Sequence, residues 1–75
     1  MKIDYVAVTK EEIADGVYGY SIIAFDDHDC EVDEYSMMES IVEASEFAET
    51  LAEKHGAIVD YDIAASDYAT LAYYE

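Results

Sequence analysis

The sequence predicts an α+β domain in which an antiparallel β-sheet of four to five strands carries one amphipathic helix on one face. Three observations support this. Residues with high β propensity cluster in short runs at 3–9 (IDYVAVT), 17–25 (VYGYSIIAF) and 57–63 (AIVDYDI). A single stretch, from Ser36 to His55, combines helical periodicity with a start and a stop signal. The chain has 75 residues, no Pro, and no linker-like or repeated segment, so residues 1–75 read as one domain.

Taken in order, residues 3–9 form the first strand. Residues 10–16 (KEEIADG) form a turn closed by Asp15-Gly16, a pair that favours reversal of the chain. Residues 17–25 form the second strand, the best suited to a central place. Asp26 to Asp29 make an acidic turn, and Cys30 to Glu34 a short third strand. The helix opens on a Ser36-x-x-Glu39 capping box, in which the serine oxygen accepts from the third helical amide and the glutamate reaches back. It closes at His55-Gly56, where glycine can take the left-handed conformation that ends a helix. At 100° per residue, Met37, Ile41, Ala44, Phe47, Ala48, Leu51, Ala52 and His55 share the arc that packs on the sheet. In the next strand Val59, Tyr61 and Ile63 alternate with Asp60 and Asp62. Residues 65–67 read as a turn and 68–74 as a last strand, with a short helix as the alternative.

Charge is the outlying property. Nineteen acidic residues against three lysines give a net −16, whereas a magnitude of about 2–8 keeps a small domain soluble. A hydrophobic content of 53% separates the chain from disordered acidic tails. For this length the radius of gyration is about 11 Å, a globule roughly 29 Å across. Duplex DNA carries one charge per ~1.7 Å of axis, so the same charge would occupy about 27 Å of duplex. Such a surface repels nucleic acid and anionic membrane, excludes direct binding to either, and calls for a basic partner or a cation. The lone Cys30 allows no internal disulfide. With no apolar run of spanning length and no signal-peptide pattern, the expected location is cytoplasmic.

Two acidic groups stand out as partner-binding candidates. Glu39, Glu43, Glu46, Glu49 and Glu53 fall within about 120° of helical arc, along roughly 21 Å. Their four like-charge pairs each cost about 0.2–0.5 kcal/mol, where a solvated face would gain from interleaved lysines. The second group is the turn Asp26, Asp27, Asp29, Glu31, Asp33 and Glu34. Read as a calcium loop from Asp27, it has Val32 where glycine is required and Met38 where the final glutamate belongs. His28 and Cys30 lack the spaced partner that zinc sites use. No metal or other cofactor is therefore expected. Asp60 and Asp62 extend the acidic surface. Several of the eight tyrosines adjoin acids, as in Asp4-Tyr5, Glu34-Tyr35, Asp67-Tyr68 and Tyr73-Tyr74-Glu75. Such pairs suit an arginine that stacks on the ring while the acid meets its charge. No nucleophile–base arrangement and no phosphate-binding loop is visible, so an enzyme is not expected.

In size, charge and tyrosine content the whole chain resembles the small phage-encoded DNA mimics of the anti-CRISPR and anti-restriction type. That resemblance implies carboxylates placed where a target expects phosphates. It also implies a basic nucleic-acid-binding protein or nuclease complex as partner, and a bacterial host cell as setting. Length and acidity are similar to acyl carrier proteins as well. That family has Asp-Ser-Leu at its attachment site, where this chain has Tyr35-Ser36-Met37, and it is all-helical. The alternative reading is an adaptor that binds protein through exposed tyrosine and apolar side chains. Self-association into a homodimer stays open.

Overall fold

The computed structural model describes residues 2–74. The chain runs β1 (Tyr5–Ala14), β2 (Val17–Phe25), β3 (Glu31–Met38), α1 (Ile41–His55), β4 (Ile58–Asp62) and α2 (Ala65–Tyr74). It is an α+β fold in two layers, with a four-stranded sheet in the order β3-β2-β1-β4. The helix α1 lies over one face of the sheet and contacts all four strands, while α2 packs beside α1. The principal extents are 36 × 28 × 16 Å and the radius of gyration is 12.2 Å. A duplex 36 Å long would carry about 21 charges, so the net −16 is more dilute than DNA along the long axis.

The long hairpin β1–β2 is antiparallel, pairing Val8 with Ile22 and Val6 with Ala24. As expected, β2 is interior. The 10–14 segment is not a turn. It continues β1, with Glu11 opposite Gly19 and Glu12 opposite Tyr18, and only Asp15-Gly16 forms the reversal. Long-range pairing with β2 outweighs the local preference of a charged run. Gly16 has φ 75°, a conformation glycine takes without strain.

The sheet is mixed rather than antiparallel, because β4 pairs parallel to β1, Val6 with Val59 and Val8 with Tyr61. The reason is topological. The helix α1 makes the return stroke after β3, so β4 runs in the direction of β3 and therefore of β1.

The start of α1 also differs from expectation. Ser36 and Met37 belong to β3, which extends to Met38 and pairs with β2 through Tyr20–Met38 and Ile22–Tyr35. The capping box at Ser36 and Glu39 does not form. The helix opens four residues later on Ser40, which has extended φ/ψ and whose carbonyl accepts from the Ala44 amide at 2.9 Å, with no side-chain cap bond. Its C-terminus is as predicted. Gly56 is left-handed, its N–H donates to the Glu53 carbonyl, and the Ala57 N–H donates to that of Ala52.

The core is small and tight. Val6, Val8, Ile22 and Ala24 from the hairpin meet Ile41, Ala44, Ala48 and Ala52 from α1. The alanine ridge lets the helix approach the sheet closely. On the predicted arc, His55 is exposed and Phe47 sits at the margin, against Tyr35 at 4.8 Å. Ser45 takes a buried place instead, its hydroxyl 2.9 Å from that of Tyr61. The expected last strand is the helix α2, making two helices in all among the described residues. Alanines 65, 69 and 72 favour helix. Asp67 accepts from the Ala64 amide just before the helix, and Leu71 packs on the core. Glu75 of the Tyr73-Tyr74-Glu75 run lies outside the described residues.

Candidate partner-binding surface

Every described carboxylate except Asp26 and Asp67 is exposed. Among the described residues the one lysine–carboxylate ion pair is Lys10–Asp67. The acidic side chains fall into three groups rather than one strip.

The first group is on α1. Glu43, Glu46, Glu49 and Glu53 are exposed along its outer face, spanning about 15 Å. Glu39 is exposed but precedes the helix and stands outside this row. One like-charge pair of the expected four therefore disappears. Two hollows flank the row. One, of about 350 Å³, lies between α1 and α2, with Val42, Tyr61 and Leu71 inside and Glu46 and Glu49 at its rim. The other, of about 500 Å³, lies between α1 and β3, with Tyr35, Phe47 and Leu51 beside Glu43 and Lys54.

The second group is the turn after β2, where several acids are engaged in shaping the chain. Asp26 Oδ1 accepts from the amides of His28 and Cys30, both at 2.9 Å. These two backbone bonds, with a smaller contribution from His28, hold its carboxyl below the usual range. Asp29 has φ 60° and accepts from the Tyr5 hydroxyl at 3.0 Å. Asp33 accepts from the Glu34 amide and from the Tyr35 hydroxyl at 2.7 Å. Asp27 lies 3.7 Å from the His28 ring nitrogen. Among the described residues no three His, Cys, Asp or Glu side chains are placed to hold a metal ion.

The third group is on the sheet face turned away from α1. Glu34 pairs in register with Ile23, and Asp60 with Ala7. Asp62 follows two residues along β4. Glu31 lies against Glu34, and Glu11, which the sequence reading left out, joins them while accepting from Ser21 at 2.8 Å. A hydrogen bond with Glu31, then the charges of Glu31 and Glu11, raise the Glu34 carboxyl above its usual 4.5. A carboxyl raised by folding binds protons more readily in the native state, so ionised Glu34 weakens the fold at neutral pH and the penalty fades as pH falls. Glu34→Gln is therefore expected to raise the thermal midpoint near pH 7 and to match the parent near pH 4. Equal midpoints at both pH values would show that the crowding has no energetic weight.

Sequence neighbours do not predict the tyrosine partners. Tyr5 reaches Asp29 rather than Asp4, Tyr20 reaches Asp67, and Tyr68 donates to the Tyr61 carbonyl at 2.9 Å. In β4 adjacent side chains point to opposite faces, which turns Asp60 and Asp62 to the side away from Tyr61.

No family model, curated protein or solved structure matches this chain. No described helix is long and apolar enough to cross a membrane.

Proposed function

We propose that this domain is a non-catalytic inhibitor that imitates nucleic acid and blocks the nucleic-acid-binding groove of a basic target. A CRISPR–Cas complex or a restriction enzyme in a phage-infected bacterial cytoplasm is the kind of target it fits. The observation that carries this reading is the row Glu43, Glu46, Glu49 and Glu53. These side chains are exposed on a regular helix and meet no lysine within ion-pair distance among the described residues. Carboxylates so placed form charge-assisted hydrogen bonds with arginine and lysine, and their long-range field speeds encounter with a cationic groove.

The test is charge reversal. A target captured from a bacterial lysate at low salt should be displaced by duplex DNA or its natural nucleic acid. The triple variant Glu43→Lys, Glu46→Lys, Glu49→Lys should lose at least about a hundredfold in affinity, as expected when several close charge pairs are inverted, with its circular dichroism unchanged. Full-strength binding by that variant would remove α1 as the site.

The adaptor reading is favoured by the 83% exposure of Tyr73 and the 71% exposure of Ile58. It predicts binding that survives about 0.5 M salt, where charge interactions are screened within a few ångströms.

A further inference from the structure

The face of the sheet opposite α1 has no described element over it, yet it is not a polar face. One row across the strands reads Glu34, Ile23, Ala7, Asp60, from β3 to β4. The next reads Glu31, Phe25, Tyr5, Ile58, with the Tyr5 and Phe25 rings stacked at 4.9 Å. The middle of each row is half-buried and largely apolar; Glu34 and Glu31 stand at the β3 edge, while at the β4 edge Asp60 ends the first row and the exposed Ile58 the second. A sheet face of this composition is normally covered by a second layer.

The spacing of the rims indicates what would cover it. Neighbouring strands lie about 4.8 Å apart, so the outer two of four are separated by roughly 14 Å. An α-helix with its side chains is about 10–12 Å across. The major groove of B-DNA, about 12 Å wide, receives helices between its phosphate lines in the same manner. A second copy of this chain is a poor cover, because it would bring Glu31, Glu34 and Asp60 against a surface of the same sign.

We propose that this face docks a basic amphipathic α-helix of a protein partner. The helix lies along β1 and β2, its apolar stripe on Ile23, Ala7 and Phe25. Lysines or arginines on its flanks reach Glu34 on one side and Asp60 on the other. This surface lies on the opposite layer from the α1 row, and the inference holds whether or not the partner binds nucleic acid.

The test uses the full chain, labelled with ¹⁵N and titrated with a synthetic helical peptide of about 18 residues, roughly 27 Å long. The peptide carries leucines at i, i+3, i+4 and i+7 and lysine or arginine elsewhere. A control of identical composition has its leucines scattered. Amide shifts should centre on Ala7, Ile23 and Asp60, and the control should bind at least about tenfold more weakly. The double variant Glu34→Lys, Asp60→Lys should lose at least about tenfold in affinity with a thermal midpoint no lower than the parent's, while Glu12→Lys, Asp15→Lys, which reverses as many charges at the exposed tip of the hairpin, stays within about twofold. Equal binding of the two peptides would reduce the effect to net charge and overturn the proposal. So would shifts confined to α1, or a dimer in sedimentation that already protects the sheet face.

Discussion

Truncating Ile22 to alanine is expected to remove most of the folding free energy. Ile22 is fully buried, standing between Val8 of β1 and Tyr35 of β3, under α1. Removing a buried aliphatic side chain of this size costs about 2–5 kcal/mol. A core in a domain this small supplies roughly 3–5 kcal/mol in all, and the exposed like charges subtract from that. The neighbouring Ile23 is the control. It points to the other face and is half-buried, so Ile23→Ala should cost less than half as much. Urea unfolding followed by circular dichroism separates the two. Comparable losses at 22 and 23 would mean that both faces of the sheet contribute equally to the fold, contrary to the placement of the core.

The same alternation explains why much of the fold was legible in the sequence. In β2 the run Tyr20, Ile22, Ala24 is buried, and its apolar neighbours mark an interior strand. Val59 and Tyr61 face α1 while Asp60 and Asp62 face out, as the period of two requires. The Gly56 stop is a local signal, and local signals survive when nothing competes with them. The start of α1 shows the opposite case. The pattern S-x-x-E occurs twice, at Ser36–Glu39 and at Ser40–Glu43, and only pairing of β3 with β2 selects the second. No local rule contains that information. Assignment of residues 68–74 failed for a related reason. Tyrosine favours strands, but both sides of an added strand would need apolar pattern, whereas alanines 65, 69 and 72 and the Asp67 contact to Ala64 fit a helix start. The acidic site was legible as composition and as the α1 row. The outward turn of Asp60 and Asp62 was legible too, but the separation of Glu31 and Glu34 from the rest of the acidic turn was not, because it follows from the register of β3 on β2.

Asp67 is the acid whose loss should matter most to stability, although as one of nineteen it looked no different from the rest. It is buried at the start of α2 and joins three elements. The Tyr20 hydroxyl donates to Oδ1 at 2.6 Å, and the Ala64 amide donates to Oδ2 at 3.2 Å. Lys10 Nζ lies 3.3 Å from Oδ2 and also sits over the Tyr18 ring at 4.9 Å. Burial alone would raise this carboxyl, but the bonds from Tyr20, Lys10 and Ala64 outweigh it and hold it below its usual 3.8. Burial, then the bond to Asp67 and its charge, push the Tyr20 phenol up to about 12. Asp67→Ala would strand the buried Tyr20 hydroxyl, at about 1–3 kcal/mol, and remove the contact that caps α2, at about 0.5–2 kcal/mol. The expected loss is about 2–4 kcal/mol, with Asp67→Asn intermediate because it keeps an acceptor for Tyr20. The pH dependence follows from the direction of the shift. A carboxyl lowered by folding contributes fully above its unfolded value and loses that contribution as pH falls through the folded one. The deficit of Asp67→Ala should hold steady through neutral pH and shrink only below 3.8. Tyrosine absorbance gives a second reading, since Tyr20 should then titrate from about 12 back toward 10.0. A variant as stable as the parent, with Tyr20 still ionising near 12, would show that Asp67 does not hold α2 to the sheet.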